Sequence, residues 1–136
     1  LIDNTCLLNI ELKGDFTAFE VCKSIQLYTE TKGWSFDHFL VSSFNHEQLT
    51  AVFNNNKNIP LAVLAEDHLD EALNFAKTIA AKAIHPQYHL LTKASVKQIH
   101  NLGYKVNTWT VNNYDDIAQM KALGVDGIIS DFPDHL

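Results

Sequence analysis

Glu11 and Lys13 stand two residues apart in an otherwise mostly apolar run, Leu7-Leu8-Asn9-Ile10-Glu11-Leu12-Lys13. Side chains alternate across a strand, so Asn9, Glu11 and Lys13 share one face and Leu8, Ile10 and Leu12 the other. A carboxylate is a hard oxygen donor suited to Mg²⁺ or Ca²⁺. An ammonium is a point charge suited to a phosphate oxygen. Side by side, the two could hold a cation and an anionic substrate together. The spacing alone is equally compatible with an edge strand whose Glu/Lys face is solvated. Other strands repeat the pattern. Ser42 and Phe44 share a face reaching the end of one strand, Asn107 and Trp109 do so on another, and Asp131 lies just past the last.

The remaining groups with chemical potential have plainer readings. Of the seven histidines, His46 and His68 open predicted helices and His100 sits on a helix surface. His135 lies near the end of the chain. His85 and His89 flank Pro86 at a strand end, which makes His85 a candidate for pocket contact. No His/His or His/Cys pair has zinc-site spacing, and neither GxGxxG nor GxxxxGK[ST] is present. Asp115 and Asp116 open a helix, where carboxylates complement the dipole. Ser42 and Ser43 lack a base–acid pattern and are assigned to packing and hydrogen bonding. Cys6 and Cys22, the first at the start of a strand and the second within a helix, read as reduced structural thiols, which favours the cytoplasm.

The elements that must position these groups alternate along the chain. Strands are expected over 7–13, 39–44, 61–64, 83–85, 104–111 and 127–130. Helices are expected over 16–32, 47–53, 68–81, a segment opened by Thr92, and 114–122. Asp67 is expected to cap the third helix and Thr92 the fourth. Leu102-Gly103-Tyr104 and Leu123-Gly124-Val125 each end a helix on Gly and enter a strand at once, as repeated βα units do. Alternation without hairpin turns implies a parallel sheet under helices. In an open sheet both strand faces are covered and should be apolar. In a barrel the second face points into the lumen, and Glu11 and Lys13 then sit at the C-terminal rim where barrel active sites are built.

The same residues carry a family resemblance. Asn9-Ile10-Glu11-Leu12-Lys13 resembles the Asn-Ile-Glu-Ile-Lys strand of the glycerophosphodiester phosphodiesterases. Val41-Ser42-Ser43-Phe44, Trp109-Thr110-Val111-Asn112 and Gly127-Ile128-Ile129-Ser130-Asp131-Phe132-Pro133 are similar to three further strand motifs of that family, in the same order. The resemblance implies the C-terminal part of a TIM-type (β/α)8 barrel that hydrolyses glycerophosphodiesters to an alcohol and glycerol 3-phosphate with Mg²⁺ or Ca²⁺. It implies that Glu11 is a metal ligand, that Lys13 binds the substrate phosphate, and that Trp109, with Phe44, walls the substrate pocket. The family's His-Arg-Gly, Pro-Glu-Asn-Thr, Glu-x-Asp and His-Asp segments are absent. The general acid and base histidines and two further carboxylates are therefore expected outside these residues. Residues 1–136 read as one domain fragment, inactive alone and prone to association through open sheet edges. Six strands are slightly many for that remainder, so 61–64 or 83–85 is expected to be short or irregular.

The whole chain is consistent with a small-molecule substrate. A net charge of −6 and the lack of any Lys/Arg-rich run argue against nucleic acid. No apolar stretch approaches the ~20 residues needed to span a bilayer. Two alternatives remain open, a non-catalytic phosphate-ligand binding module and another phosphate-handling barrel enzyme.

Overall fold

Parallel pairing runs through the sheet in strict chain order, and this decides the architecture. The computed structural model describes residues 5–136. Among them lie β1 (Leu8–Glu11), α1 (Ala18–Thr31), β2 (Phe39–Ser43), α2 (His46–Asn55), β3 (Leu61–Ala65), α3 (Leu69–Thr78), β4 (Ala83–Pro86), α4 (Lys93–Asn101), β5 (Lys105–Thr108), α5 (Tyr114–Leu123) and β6 (Gly127–Ile128). The sheet order is β1-β2-β3-β4-β5-β6, with every neighbouring pair parallel. A doubly wound sheet would reverse its order at a switch point. Sequential order without reversal is that of a barrel, and the six strands with their helices form a half-barrel.

The helix-facing side of the sheet carries the core. Val41, Val63, Ile84 and Val106 are fully buried there, together with Leu49 and Val52 of α2, Ala76 of α3 and Ile99 of α4. Full burial of an aliphatic side chain of this size contributes about 1.5–3 kcal/mol. The opposite face is smaller and more polar. Leu40, Ala62 and Ala83 form a separate apolar cluster. Ser42 and His85 are buried beside them. This is the division of faces that the alternation in the first strand called for, with Ile10 and Leu12 turned toward the main core.

Several boundaries differ from expectation. The first strand is Leu8–Glu11, so Cys6 and Leu7 precede it and Lys13 follows it. The last strand is only Gly127–Ile128. β3 and β4, one of which was expected to be short or irregular, are five and four residues long, fully buried and in register over Ala62–Ala65 and Ala83–Pro86. The short element is β6: Ile129 N still donates to Thr108 O of β5 at 2.8 Å, while Ser130 Oγ donates to Asn112 Oδ1. Asp67 does not cap α3. His68 holds the N-cap position without a side-chain bond, and α3 ends at Thr78 because Ala80 turns into the left-handed region at φ 48°.

Other boundaries follow the expected chemistry. Thr92 Oγ1 accepts from Ser95 N at 3.1 Å and caps α4. Gly103 and Gly124 take φ of 86° and 81°, the conformation that glycine adopts without steric cost. Cys22 is buried in α1, and burial pushes its thiol up, away from reactivity. Among the described residues, no helix is long and apolar enough to cross a membrane.

Candidate active site

Leu12 is the anchor from which Glu11 and Lys13 are displayed. Its side chain is buried in the core. Its N–H donates to Ser42 O at 2.8 Å, and its carbonyl accepts from Ser43 Oγ at 2.7 Å. The residues on either side are thereby turned outward at the C-terminal end of β1. Lys13 Nζ lies 3.6 Å from Glu11 Oε2, with the two side chains 79% and 32% exposed. Such an exposed pair adds little stability. β1 is an edge of this sheet, as the solvated-face reading required, yet Glu11 stands in register with Ser42 on the lumen side.

The loop after Lys13 is tied down from α2. Asn45 Oδ1 caps α2 by accepting from Glu47 N and Gln48 N. Gln48 Oε1 then accepts from Ala18 N at 3.1 Å, satisfying one of the free donors at the start of α1. Thr17 Oγ1 donates to Gly14 O at 3.0 Å. Ser43 Oγ also accepts from Asn45 N at 3.0 Å, so one hydroxyl joins the ends of β1 and β2. Sequence reading assigned Ser43 this kind of work. It missed Asn45 and Gln48, although an Asn followed three residues later by Gln is a recognisable helix-start pattern.

Glu11, Lys13 and Phe44 line one cleft of about 290 Å³ together with Leu12, Ser43 and Asn45. Phe44 meets Trp109 edge to face, with ring centroids 5.5 Å apart. All four residues singled out from the sequence therefore gather at the C-terminal rim, Trp109 through its contact with Phe44. Glu11 offers a hard oxygen that suits Mg²⁺ or Ca²⁺ as one ligand among several. Among the described residues, no three His, Cys, Asp or Glu side chains converge to hold a metal.

The last two motifs interlock rather than line this cleft. Asn112 Oδ1 accepts from Ser130 Oγ at 3.1 Å and Asp131 N at 3.0 Å, while its Nδ2 donates to Asp131 Oδ2 at 3.0 Å. His135 stacks on Tyr114 and Phe132. At the other end of the barrel, Asp126 accepts from Val106 N and from His100. Burial alone would raise the Asp126 carboxyl, but the Val106 N–H, His100 and Lys105 together hold it below the usual range. His100, on the helix surface as expected, is one half of a 2.8 Å ion pair when protonated. His46 stacks on Phe75 at 3.8 Å.

His85 lies in the lumen-facing layer, 1% exposed. Asn107 Nδ2 faces its Nε2 at 3.0 Å. Among the described residues, His85 Nδ1 and Ser42 Oγ are buried without a hydrogen-bond partner. An unmet buried polar group costs about 1–3 kcal/mol, which an aliphatic side chain would avoid. Burial pushes the His85 imidazole down from 6.5 to about 4. Between those values the unfolded chain binds a proton that the folded chain does not. Stability is therefore full above pH 6.5 and declines as the pH falls toward 4, by about 3 kcal/mol in all. Urea unfolding at pH 7.5 and 4.5 should show this slope in the native protein and a flatter one in His85→Gln. Equal slopes would mean that His85 is not held neutral.

Gly127 completes this layer. A Cβ built there would come 2.6 Å from Asn107 Oδ1 and 3.2 Å from its Cγ. Gly127→Ala should displace the Asn107 amide from His85 and cost about 1–2 kcal/mol. Thermal or urea unfolding checks this, and native stability would show that the amide can step aside freely.

The model of the glycerophosphoryl diester phosphodiesterase family matches residues 11–135. A glycerophosphodiester phosphodiesterase of Bacillus altitudinis is 40% identical over 136 residues, covering 95% of this chain and 54% of the relative. One from Caldanaerobacter subterraneus subsp. tengcongensis is 30% identical, covering 98% and 55%. The chain thus spans about half the length of the curated relatives it matches. Among solved structures, a putative glycerophosphodiester phosphodiesterase from Galdieria sulphuraria superposes with a TM-score of 0.81 at 24% identity, over 95% of this chain and 55% of that one. A phosphodiesterase from Oleispira antarctica, solved with its product sn-glycerol-3-phosphate, gives 0.78 at 21% identity, over 93% and 52%. These likenesses establish the barrel fold.

Proposed function

Because the chain belongs to the glycerophosphoryl diester phosphodiesterase family, we propose that it forms the C-terminal half of a barrel enzyme that hydrolyses glycerophosphodiesters. The products are an alcohol and glycerol 3-phosphate, and the reaction needs Mg²⁺ or Ca²⁺. The observation that carries this reading is the Glu11–Lys13 pair, 3.6 Å apart at the rim and in one cleft with Phe44. The product held by the Oleispira antarctica enzyme supports the same substrate class.

Glu11 would be one ligand of the cation. Bound there, the cation would act as a Lewis acid toward the phosphate. Lys13 places an ammonium where negative charge builds on the phosphoryl oxygens, an interaction stronger in the transition state than in the ground state. Trp109 and Phe44 form an aromatic wall for the glycerol moiety and shield the reacting bond from bulk water. Water adds to phosphorus while the bond to the alcohol oxygen breaks, and the leaving alcohol takes a proton. The substrate's own glycerol hydroxyl can also attack first, giving a cyclic phosphate that water then opens. Both routes need an acid and a base, which this reading assigns to histidines outside these 136 residues.

The test is product release by the whole protein that carries this chain. Glycerophosphocholine should yield glycerol 3-phosphate. EDTA should abolish release, and added Mg²⁺ or Ca²⁺ should restore it. Release that EDTA does not affect would overturn the cation requirement. Binding of glycerol 3-phosphate without turnover would instead identify a binding module. Turnover of bis(p-nitrophenyl) phosphate with none of glycerophosphocholine would point to a different phosphodiester.

A further inference from the structure

β4 ends on Pro86, which has no N–H to give to β5. The regular ladder between the two strands runs only from Ala83↔Lys105 to Ile84↔Val106. Yet the residue that must be placed accurately, Trp109, lies beyond that point. Side chains reinforce the joint. Asn107 Nδ2 donates to His85 Nε2 at 3.0 Å, Thr108 Oγ1 donates to Pro86 O at 2.9 Å, and Trp109 Nε1 donates to His85 O at 2.7 Å. Backbone pairing is sparser there, with Trp109 N donating to Pro86 O at 3.3 Å and Tyr88 N to Trp109 O at 3.1 Å.

We propose that His85 and Asn107 are a positioning pair that holds Trp109, and through it the Phe44–Trp109 wall, in place for the substrate's glycerol moiety. This rests on the reading that Trp109 and Phe44 wall the substrate pocket. Three observations favour it. His85 is fully buried on the lumen side with Nδ1 unpartnered, a place where an aliphatic residue would pack without that penalty. Gly127 leaves the space into which the Asn107 amide fits, and any Cβ there would collide with it. The Trp109 indole is pinned by the carbonyl of His85 itself, so movement of His85 moves both the indole and the strand beneath it. With the Asn107 nitrogen facing the ring, Nε2 accepts and the neutral ring carries its proton on Nδ1.

His85→Leu removes the acceptor at similar bulk, whereas His85→Gln can return an acceptor near the position of Nε2. In the whole protein with glycerophosphocholine, His85→Leu should raise KM about tenfold while kcat changes less than about threefold. His85→Gln should stay within about twofold of the native KM. Trp109→Ala should itself raise KM, and His85→Leu added to it should change KM less than about twofold, because the residue being positioned is gone. A second measurement needs no activity. These 136 residues hold two tryptophans, so Trp34→Phe, with Phe in place of any tryptophan elsewhere in the whole protein, leaves Trp109 as the sole reporter. Acrylamide quenching of that emission should rise in His85→Leu and return to the native level in His85→Gln. Should His85→Leu fail to fold, Asn107→Ser removes the donor instead and should reproduce the KM rise and the greater quenching. A native KM in Trp109→Ala would sink the pocket reading and this proposal with it. A raised KM there, combined with no effect of His85→Leu or an undiminished effect in the double variant, would overturn the positioning role alone.

Discussion

Glu11→Gln should lower cation-dependent hydrolysis by about 10²–10³-fold in the whole protein, with the fold intact. The magnitude follows from removing one preorganised charged group from a site that stabilises developing charge. Gln keeps the shape and one carbonyl oxygen of Glu but loses the negative charge that a hard cation selects. The fold should not notice the change. The Glu11 side chain is 32% exposed, and it pairs with Lys13 at 3.6 Å, an exposed contact of small energetic weight. Two readouts therefore separate the cation role from a structural one. Melting in EDTA should be unchanged, and part of the lost activity should return as Mg²⁺ or Ca²⁺ is raised, because the defect is one of affinity. Near-native kcat/KM at low cation would remove Glu11 from the cation site.

The fold was legible because barrel grammar is local. Each βα unit announces itself by an apolar run and a stripe of helical spacing, and the last two helices also by a glycine at their ends. Gly103 and Gly124 adopt the left-handed conformation that their placement demanded. The faces of β1 and β5 were legible too, since a polar residue at every second position cannot lie under helices on both sides. Strand order then left only the barrel. Boundaries were harder to read, and for a physical reason. Ile129 and Ser130 have a strand's composition, but β6 ends at Ile128: Ile129 keeps only single backbone bonds to Thr108 and Val111, and the Ser130 side chain bonds Asn112. Asp67 has a cap's chemistry, but the chain enters α3 one residue later.

The site was legible only where chemistry and position coincide in one short segment. Glu11, Lys13, Phe44 and Trp109 each end or follow a strand, and the structure brings them to one rim. Gln48 escaped notice, and Asn107 was read only as sharing a face with Trp109, because their work is done across elements. Gln48 caps a helix 30 residues away in sequence, and Asn107 meets His85 22 residues away. His85 illustrates the limit well. Its place beside Pro86 marked the rim, but its bond to Asn107 and the space supplied by Gly127 appear only when three strands are assembled.

Lys13→Ala should reduce kcat/KM for a glycerophosphodiester by about 10²–10³-fold, and both constants should contribute. An ammonium that meets the substrate phosphate aids capture, which raises KM on its loss. One that also meets charge developing on the phosphoryl oxygens aids turnover, which lowers kcat. Stability should stay within about 0.5 kcal/mol, because the side chain is 79% exposed and packs against nothing that its removal would empty. The cation titration sets this variant apart from Glu11→Gln. Raising Mg²⁺ or Ca²⁺ should not rescue Lys13→Ala, since the missing group is the protein's own positive charge on the phosphate. Lys13→Arg should recover only part of the activity, because a planar fork presents its donors in a different geometry from a compact ammonium. Joining the two substitutions sharpens the inference. If Glu11 and Lys13 act on one bound phosphate, as their 3.6 Å separation allows, the double variant should lose much less than the product of the two single losses. Fully multiplicative losses would mean two independent roles. Unchanged kinetics in Lys13→Ala would take Lys13 out of the site and leave the carboxylate without the partner on which the phosphate reading depends.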